Sequence, residues 1–278
     1  MSERGFAQIS GARLAWWTDG PEAEAGGDGD PLVLVHAGVA DARMWEPIVP
    51  ALARTRRVVR FDMRGFGQSR SWRGAFSPAG DLAALLDATA IPRAHIVGAS
   101  FGGLVALELA ATAPDRVASL VLLAAALPDI EESADLLAFA EAEEAAITVG
   151  KIEDAVEINV RMWASHSSPD VQALVADMQR DAFALQLREG AESDELDPPV
   201  SARLGEIAVP ATIAYGDRDV EDFAEIACRL HAELPDATLH EIANAGHLLA
   251  LDRPDEVTQL ILRHLERAAP NPPASPPP

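Results

Sequence analysis

Ser100, held in Gly98-Ala99-Ser100-Phe101-Gly102, is the residue of this chain best placed to do chemistry. The apolar run Ala94-His95-Ile96-Val97 precedes it, and Gly103 to Ala110, a strong helix former, follows. A serine at so tight a strand-to-helix turn is lifted clear of the sheet. The helix behind it aims N–H groups and its positive dipole end at the hydroxyl. The G-x-S-x-G pattern is weak alone, and a turn whose serine merely caps the helix is the plainer reading. A serine hydroxyl is also a poor nucleophile near neutral pH. A nucleophilic role therefore requires a base, and a group that orients the base.

Seven histidines are available. His36 and His95 precede the serine, and His166 lies in a mid-chain helical region. His231 and His264 sit in helical patterns, where solvated histidine is the ordinary reading. His240 belongs to an alternating strand, Ala237 to Ile242, and is expected to face solvent. His247 differs. It stands in Asn244-Ala245-Gly246-His247, a loop between that strand and the helix opened by Pro254. Loops at the C-terminal edge of a parallel sheet are where the reactive groups of open α/β folds gather. The orienting acid then belongs after the preceding strand, in Gly216-Asp217-Arg218-Asp219. Asp217, directly after the glycine, is expected to shape the turn. Asp219 is better placed to accept the Nδ1–H of His247 and fix its tautomer. Asp129, after the strand Ser119 to Ala126, is a remote third choice.

These groups need elements to position them. A hairpin is expected over Phe6 to Thr18, turning at Ser10-Gly11, then an acidic, glycine-rich loop over Pro21 to Asp30. Strands are expected at Leu32–His36, Arg57–Phe61, His95–Ala99, Val117–Ala124, Ala211–Tyr215 and Thr238–Ile242. Helices are expected between them at about Arg43–Ala53, Ser77–Thr89, Phe101–Ala113, Asp222–Leu234 and Pro254–Ala268. Apolar strands alternating with helices imply an α/β fold, a mostly parallel sheet covered on both faces. The alternation breaks between Pro128 and Pro199, which lacks strand signals and reads as helices at Ile130–Ala146, Ile152–Ala164 and Pro169–Arg188. Within them Glu141, Glu143 and Glu144 read as a solvated face. The proline-rich end, 270–278, is expected to be a disordered tail.

Four blocks in order resemble the α/β-hydrolase fold. Leu32 to Gly38 resembles its strand and His-Gly oxyanion loop, with Ala37 where the family usually has glycine. Phe61 to Ser69 resembles its D-x-R-G-x-G-x-S loop, Gly98 to Gly103 its nucleophile elbow, and Gly216-x-x-Asp219 and Gly246-His247 its acid and base blocks. The resemblance covers nearly the whole chain apart from the middle insert and the tail. It implies a triad of Ser100, Asp219 and His247, with the main-chain N–H groups of Gly38 and Phe101 as the oxyanion hole. It makes residues 1–127 and 200–269 the core and 128–199 a helical cap. Met162, Trp163 and Phe183 are then candidates to face the substrate, although the same side chains can simply hold the cap helices together. The chemistry implied is acyl transfer to water on a small carboxylic ester or lactone, as in carboxylesterases and enol-lactonases. A carbon–carbon bond hydrolase acting on a vinylogous diketone uses the same triad and is the alternative. A non-catalytic binding protein of the same fold is a third reading. Members with Asp in the elbow, the haloalkane dehalogenases and epoxide hydrolases, are disfavoured because the residue here is serine.

Composition narrows the classes further. At 278 residues with 49% hydrophobic content, the chain is long enough for one large α/β domain plus an insert. A net charge of −22 argues against nucleic acid or anionic membrane surfaces as partners. The N-terminus does not read as a signal peptide, and no apolar run reaches spanning length. The single cysteine, Cys228, has no disulfide partner, so a reducing cytoplasm is the default setting. No Cys/His cluster has metal-ligand spacing, and no cofactor is called for. The expected partner is a small-molecule substrate, and the expected assembly a monomer or homodimer.

Overall fold

The computed structural model describes residues 2–21, 29–71, 74–194 and 196–269 of the chain. Strands β1 (Glu3–Ile9) and β2 (Ala12–Asp19) form the expected hairpin about Ser10-Gly11. The sheet continues through β3 (Leu32–Val35), β4 (Val58–Phe61) and the short β5 (Arg70–Ser71), while β6 (Gly74–Phe76) stands apart. Further along lie β7 (Ala94–Ala99), β8 (Val117–Leu123), β9 (Ala191–Ser193), β10 (Ala211–Gly216) and β11 (Ala237–Ile242). The spatial order is β1-β2-β4-β3-β7-β8-β10-β11, with β5 on β2. From β4 to β11 every neighbouring pair is parallel. Every residue of β3, β7 and β8 is buried, as a parallel strand covered on both faces requires.

Helices α1 (Val49–Leu52), α2 (Pro78–Ala88) and α3 (Phe101–Thr112) form the first crossovers; α4 (Ala134–Thr148), α5 (Ile152–Trp163) and α6 (Pro169–Glu189) form the insert; α7 (Glu221–Glu233), α8 (Leu249–Asp252) and α9 (Pro254–Ala268) close the chain. Crossing from β3 to β4 runs along the sheet in the opposite sense to β4→β7→β8 and β10→β11. Right-handed crossovers of opposite sense place their helices on opposite faces. Accordingly α2 packs with α3, and α1 with α9. The same reversal at β3 opens a crevice at the C-terminal strand ends, which is where the sheet directs a ligand.

Two expectations change. The helix expected over Arg43–Ala53 is a 3-10 turn, Ala42–Trp45, followed by the short α1. Pro47 has no N–H to carry the hydrogen-bond ladder past the 3-10 turn, although Glu46 itself keeps helical dihedrals, while Pro50 is tolerated in the first turn of α1. The insert also holds a strand after all: β9 pairs in parallel with β6, well off the main sheet. Three residues are too few to show a period of two. The insert otherwise forms three helices with their own small core around Ala146, Ala155, Val156 and Phe183. Helix α6 seats them on the rest, since Val175, Met178 and Ala182 belong to the main core. Among the described residues no helix is long and apolar enough to cross a membrane. The tail over 270–278 lies outside the described residues, as does most of the acidic loop before β3.

Candidate active site

The turn between β7 and α3 sets Ser100 at φ 49° and ψ −118°, a conformation disfavoured for any side chain. It is over-determined by its surroundings. The Ser100 N–H donates to Leu123 O at 3.0 Å, and its carbonyl accepts from Gly103, Leu104 and Ala126. Glycine is obligatory on both sides: a Cβ on Gly98 would lie 2.3 Å from Gly102 O, and one on Gly102 2.2 Å from Val35 O. The Ser100 hydroxyl does not cap α3. It faces a cleft of about 420 Å³ at the C-terminal ends of the strands.

His247 and Asp219 meet beside this cleft. The His247 Nδ1 lies 2.9 Å from Asp219 Oδ2, and both side chains are only 2% exposed. Asp219 Oδ1 accepts the Val220 N–H at 2.8 Å, which fixes the carboxylate plane and leaves Oδ2 for the imidazole. With Nδ1–H donating to the carboxylate, Nε2 is the nitrogen left to accept a proton. The ring is packed between Trp163 at 4.5 Å and Phe223 at 4.3 Å, centroid to centroid. Asp217 does what a turn residue does: it is exposed, and its Oδ1 accepts the Ala245 N–H, tying the Asp219 loop to the His247 loop. Asp252 extends that tie, accepting Gly246 N–H and the Ser167 hydroxyl from the insert. Asp129 is elsewhere, bonded to Ser201.

Gly38 and Phe101 approach across the cleft: a Cβ built on Gly38 would touch the Phe101 Cβ at 3.5 Å. Phe101 is the first residue of α3, so its N–H has no partner within the helix. The Gly38 loop is held by His36, whose Nε2 accepts the Met63 N–H at 2.9 Å while Nδ1 bonds the Ala37 carbonyl at 2.8 Å. Burial lowers the His36 pKa to about 4, so the ring that makes these two bonds is neutral. Ala37 has no positive φ, so a methyl is accommodated where the resembled loop has glycine. Next to it, Asp62 accepts the Ala42 and Gln68 N–H groups. Burial first, and Asp41 second, push its pKa up to about 6.

The insert supplies the opposite wall. Trp163 and Phe183 line the cleft with Ser100. Met162 does not: it faces a neighbouring groove with Arg161, His166 and Arg218, because one residue of helix turns the side chain about 100° away from Trp163. Glu143 corrects the reading of a wholly solvated acidic face, since it lines the cleft and accepts the amide N–H of buried Asn159. Glu141 and Glu144 are exposed. Asn159, Gln179, Gln186 and Phe66 also line the cleft, and Phe223 packs on His247, none of which sequence reading singled out for the cleft. Their spacing carries no signal; only the way α5, α6, α7 and the loop after β4 come together makes them neighbours. Among the described residues no group of His, Cys, Asp and Glu is arranged to hold a metal ion.

A twisted parallel sheet with its crossover helices and a serine at a strained strand-to-helix turn defines an α/β-hydrolase fold. The chain belongs to the alpha/beta hydrolase fold family, whose model matches residues 30–254. A Variovorax paradoxus protein named as a carbamate hydrolase is 32% identical over 91% of this chain and 98% of its own. A 2-hydroxy-6-oxononadienedioate/2-hydroxy-6-oxononatrienedioate hydrolase of Burkholderia vietnamiensis is 28% identical over 88% and 90%. The crystal structure of an enol-lactonase from Burkholderia xenovorans superposes with a TM-score of 0.74 at 24% identity, covering 94% of this chain and all of that one.

Proposed function

We propose that the protein is a serine hydrolase that cleaves a small carboxylic ester or lactone through an acyl-enzyme. The observation that carries this reading is the juxtaposition of an uncapped, strained Ser100 with the buried His247–Asp219 pair in one cleft. The Ser100 oxygen attacks the carbonyl carbon as its proton passes to His247 Nε2. The oxyanion forms against the N–H groups of Gly38 and Phe101, an interaction usually worth about 3–4 kcal/mol per donor. Asp219 stabilises the imidazolium and keeps its tautomer. Collapse breaks the bond to the leaving oxygen, which takes the proton from His247. A water then gives its proton to His247, attacks the acyl carbon, and frees the acid and Ser100. Helices α4 to α6 act as a cap, with Trp163 and Phe183 as pocket walls that exclude water. Substrate is the only partner this chemistry needs.

The name of the Burkholderia vietnamiensis relative favours a second reading, hydrolysis of a carbon–carbon bond by the same groups. A panel of p-nitrophenyl acetate and butyrate, simple lactones and a vinylogous diketone separates the two. Turnover of the esters or lactones, lost by a thousandfold or more in Ser100→Ala at an unchanged melting temperature, is the expected result. Turnover of the diketone alone replaces the ester reading, and residual ester activity within about tenfold of the parent in Ser100→Ala removes Ser100 as nucleophile.

A further inference from the structure

A second cavity, of about 200 Å³, adjoins the cleft that holds Ser100. The two share Phe66, Phe101 and Gln186 in their walls. Its lining is mostly apolar, including Phe61, Met63 and Phe76. Its roof is the small β6–β9 sheet, where Phe76 and Ser193 stand in register. The charged residues it meets are already satisfied. Arg64 pairs with Asp81 through two bonds, at 2.8 and 2.7 Å, and its guanidinium lies 4.3 Å from the Phe76 ring centroid. Glu189 accepts the Ser71 N–H at 2.7 Å. A dry cavity of about 150 Å³ is enough for a benzene ring, so this one has room for a short alkyl chain or one aromatic ring.

Reaction geometry decides which part of a substrate this cavity would take. The leaving group must lie on the side of His247, which gives it a proton. That side is walled by Trp163, which packs on the His247 ring. The carbonyl oxygen points to Gly38 and Phe101. The acyl substituent is left to run away from His247, over the Phe101 side chain and past Gln186, whose amide is anchored to Gly65 O at 3.3 Å. Resting on the serine-hydrolase reading above, we infer that this second cavity is the acyl pocket, and that it selects neutral acyl groups of medium length or a single aryl ring. Arg64 is taken up by Asp81, and Glu189 by Arg188, so an acyl chain that ends in a carboxylate meets no free cation among the described lining residues.

The test is the ratio of kcat/KM among p-nitrophenyl esters. Hexanoate and benzoate are expected to exceed acetate by about tenfold or more, with a fall again at dodecanoate once the cavity is full. The adipate half-ester is expected to be about tenfold poorer than hexanoate. Ser193→Trp, which fills the cavity from the exposed face of β9, should lower the hexanoate-to-acetate ratio by about tenfold. Gln186→Ala, which widens the passage, should keep or raise it. Line broadening of the fluorine NMR signal of fluorobenzene reads the cavity without catalysis and should be reduced in Ser193→Trp. If no ester is turned over, the hydrolase reading fails while the fluorobenzene result still reports on the cavity. If esters are turned over with a hexanoate-to-acetate ratio that Ser193→Trp leaves unchanged in a folded protein, the acyl-pocket assignment is overturned.

Discussion

Among the described residues two serine–histidine clusters stand at opposite ends of the strands of one sheet. At the C-terminal strand ends Ser100 shares a cleft with His247, itself bonded to Asp219. Near the N-terminal ends, Ser119 of β8 lies 2.7 Å from His95 Nδ1 and 2.7 Å from His264 Nε2. His264 Nδ1 continues to Thr212 at 2.8 Å, and Thr212 to Thr238. Taken as a pair of residue types, the second cluster is the better hydrogen-bonded. Yet it is built for something else. Ser119 is fully buried in β8, just past the register shift at Ala118, and its hydroxyl is held by two rings. Ser100 sits at positive φ beside a cleft and an unpaired helix N-terminus. Proximity of serine and histidine therefore makes a structural clamp by default. A reactive centre needs a free hydroxyl, donors for the developing charge, and access.

The sharpest way to break this comparison is to delete each hydroxyl. Ser100→Ala is expected to abolish hydrolysis, whereas Ser119→Ala should leave kcat/KM within a few-fold and cost about 1–3 kcal/mol of stability, because two buried ring nitrogens lose their partner. Urea unfolding and ester turnover measured on both variants decide it; loss of activity in a stable Ser119→Ala would remove the distinction.

The aspartates sharpen the Ser100 half. Asp219→Asn should lower kcat by about three to four orders of magnitude, since the amide presents the wrong partner to His247 Nδ1. Asp217→Asn should act on the loop tie to Ala245, and so on stability. The reverse pattern would place the orienting role on Asp217.

The smallest effect concerns the clamp. Burial lowers the pKa of His264 to about 3 and of His95 to about 4, from an ordinary 6.5. Between those values the unfolded chain takes up protons that the folded one refuses, so this part of the stability is complete above pH 6.5 and is lost as pH falls. Asp62, raised from 3.8 to about 6, works in the opposite direction over its own window. His264→Gln removes one titrating ring, and its unfolding free energy should fall less than the parent's between pH 7 and pH 5. An equal fall in both proteins would show that the ring does not titrate on unfolding.

Periodicity and turn chemistry decided most of the architecture. The apolar runs of β3, β7 and β8, the glycines flanking Ser100 and the Gly216 and Gly246 loops are local features, and local features survive in a one-dimensional pattern. The positions of Ser100, Asp219 and His247 followed from them, because parallel strands deliver all their C-terminal loops to one edge. His264 was misread as solvated because amphipathic spacing marks which face of α9 is buried but not whether a polar residue on that face finds a partner. Met162 and Glu143 were misplaced for a related reason: the azimuth of α4 and α5 over the cleft depends on how the insert docks, through Met178 and its neighbours, on the core.

The sequence alone thus determined the fold class, the strained turn and the chain order of Ser100, Asp219 and His247, each set within a few neighbouring residues. Tertiary structure alone decided which serine is saturated and which is free, which helix faces wall the cleft, and that a second cavity opens past Phe101 and Gln186. Those depend on contacts between segments far apart in the chain, where small rotations of a packed helix change which side chain meets which.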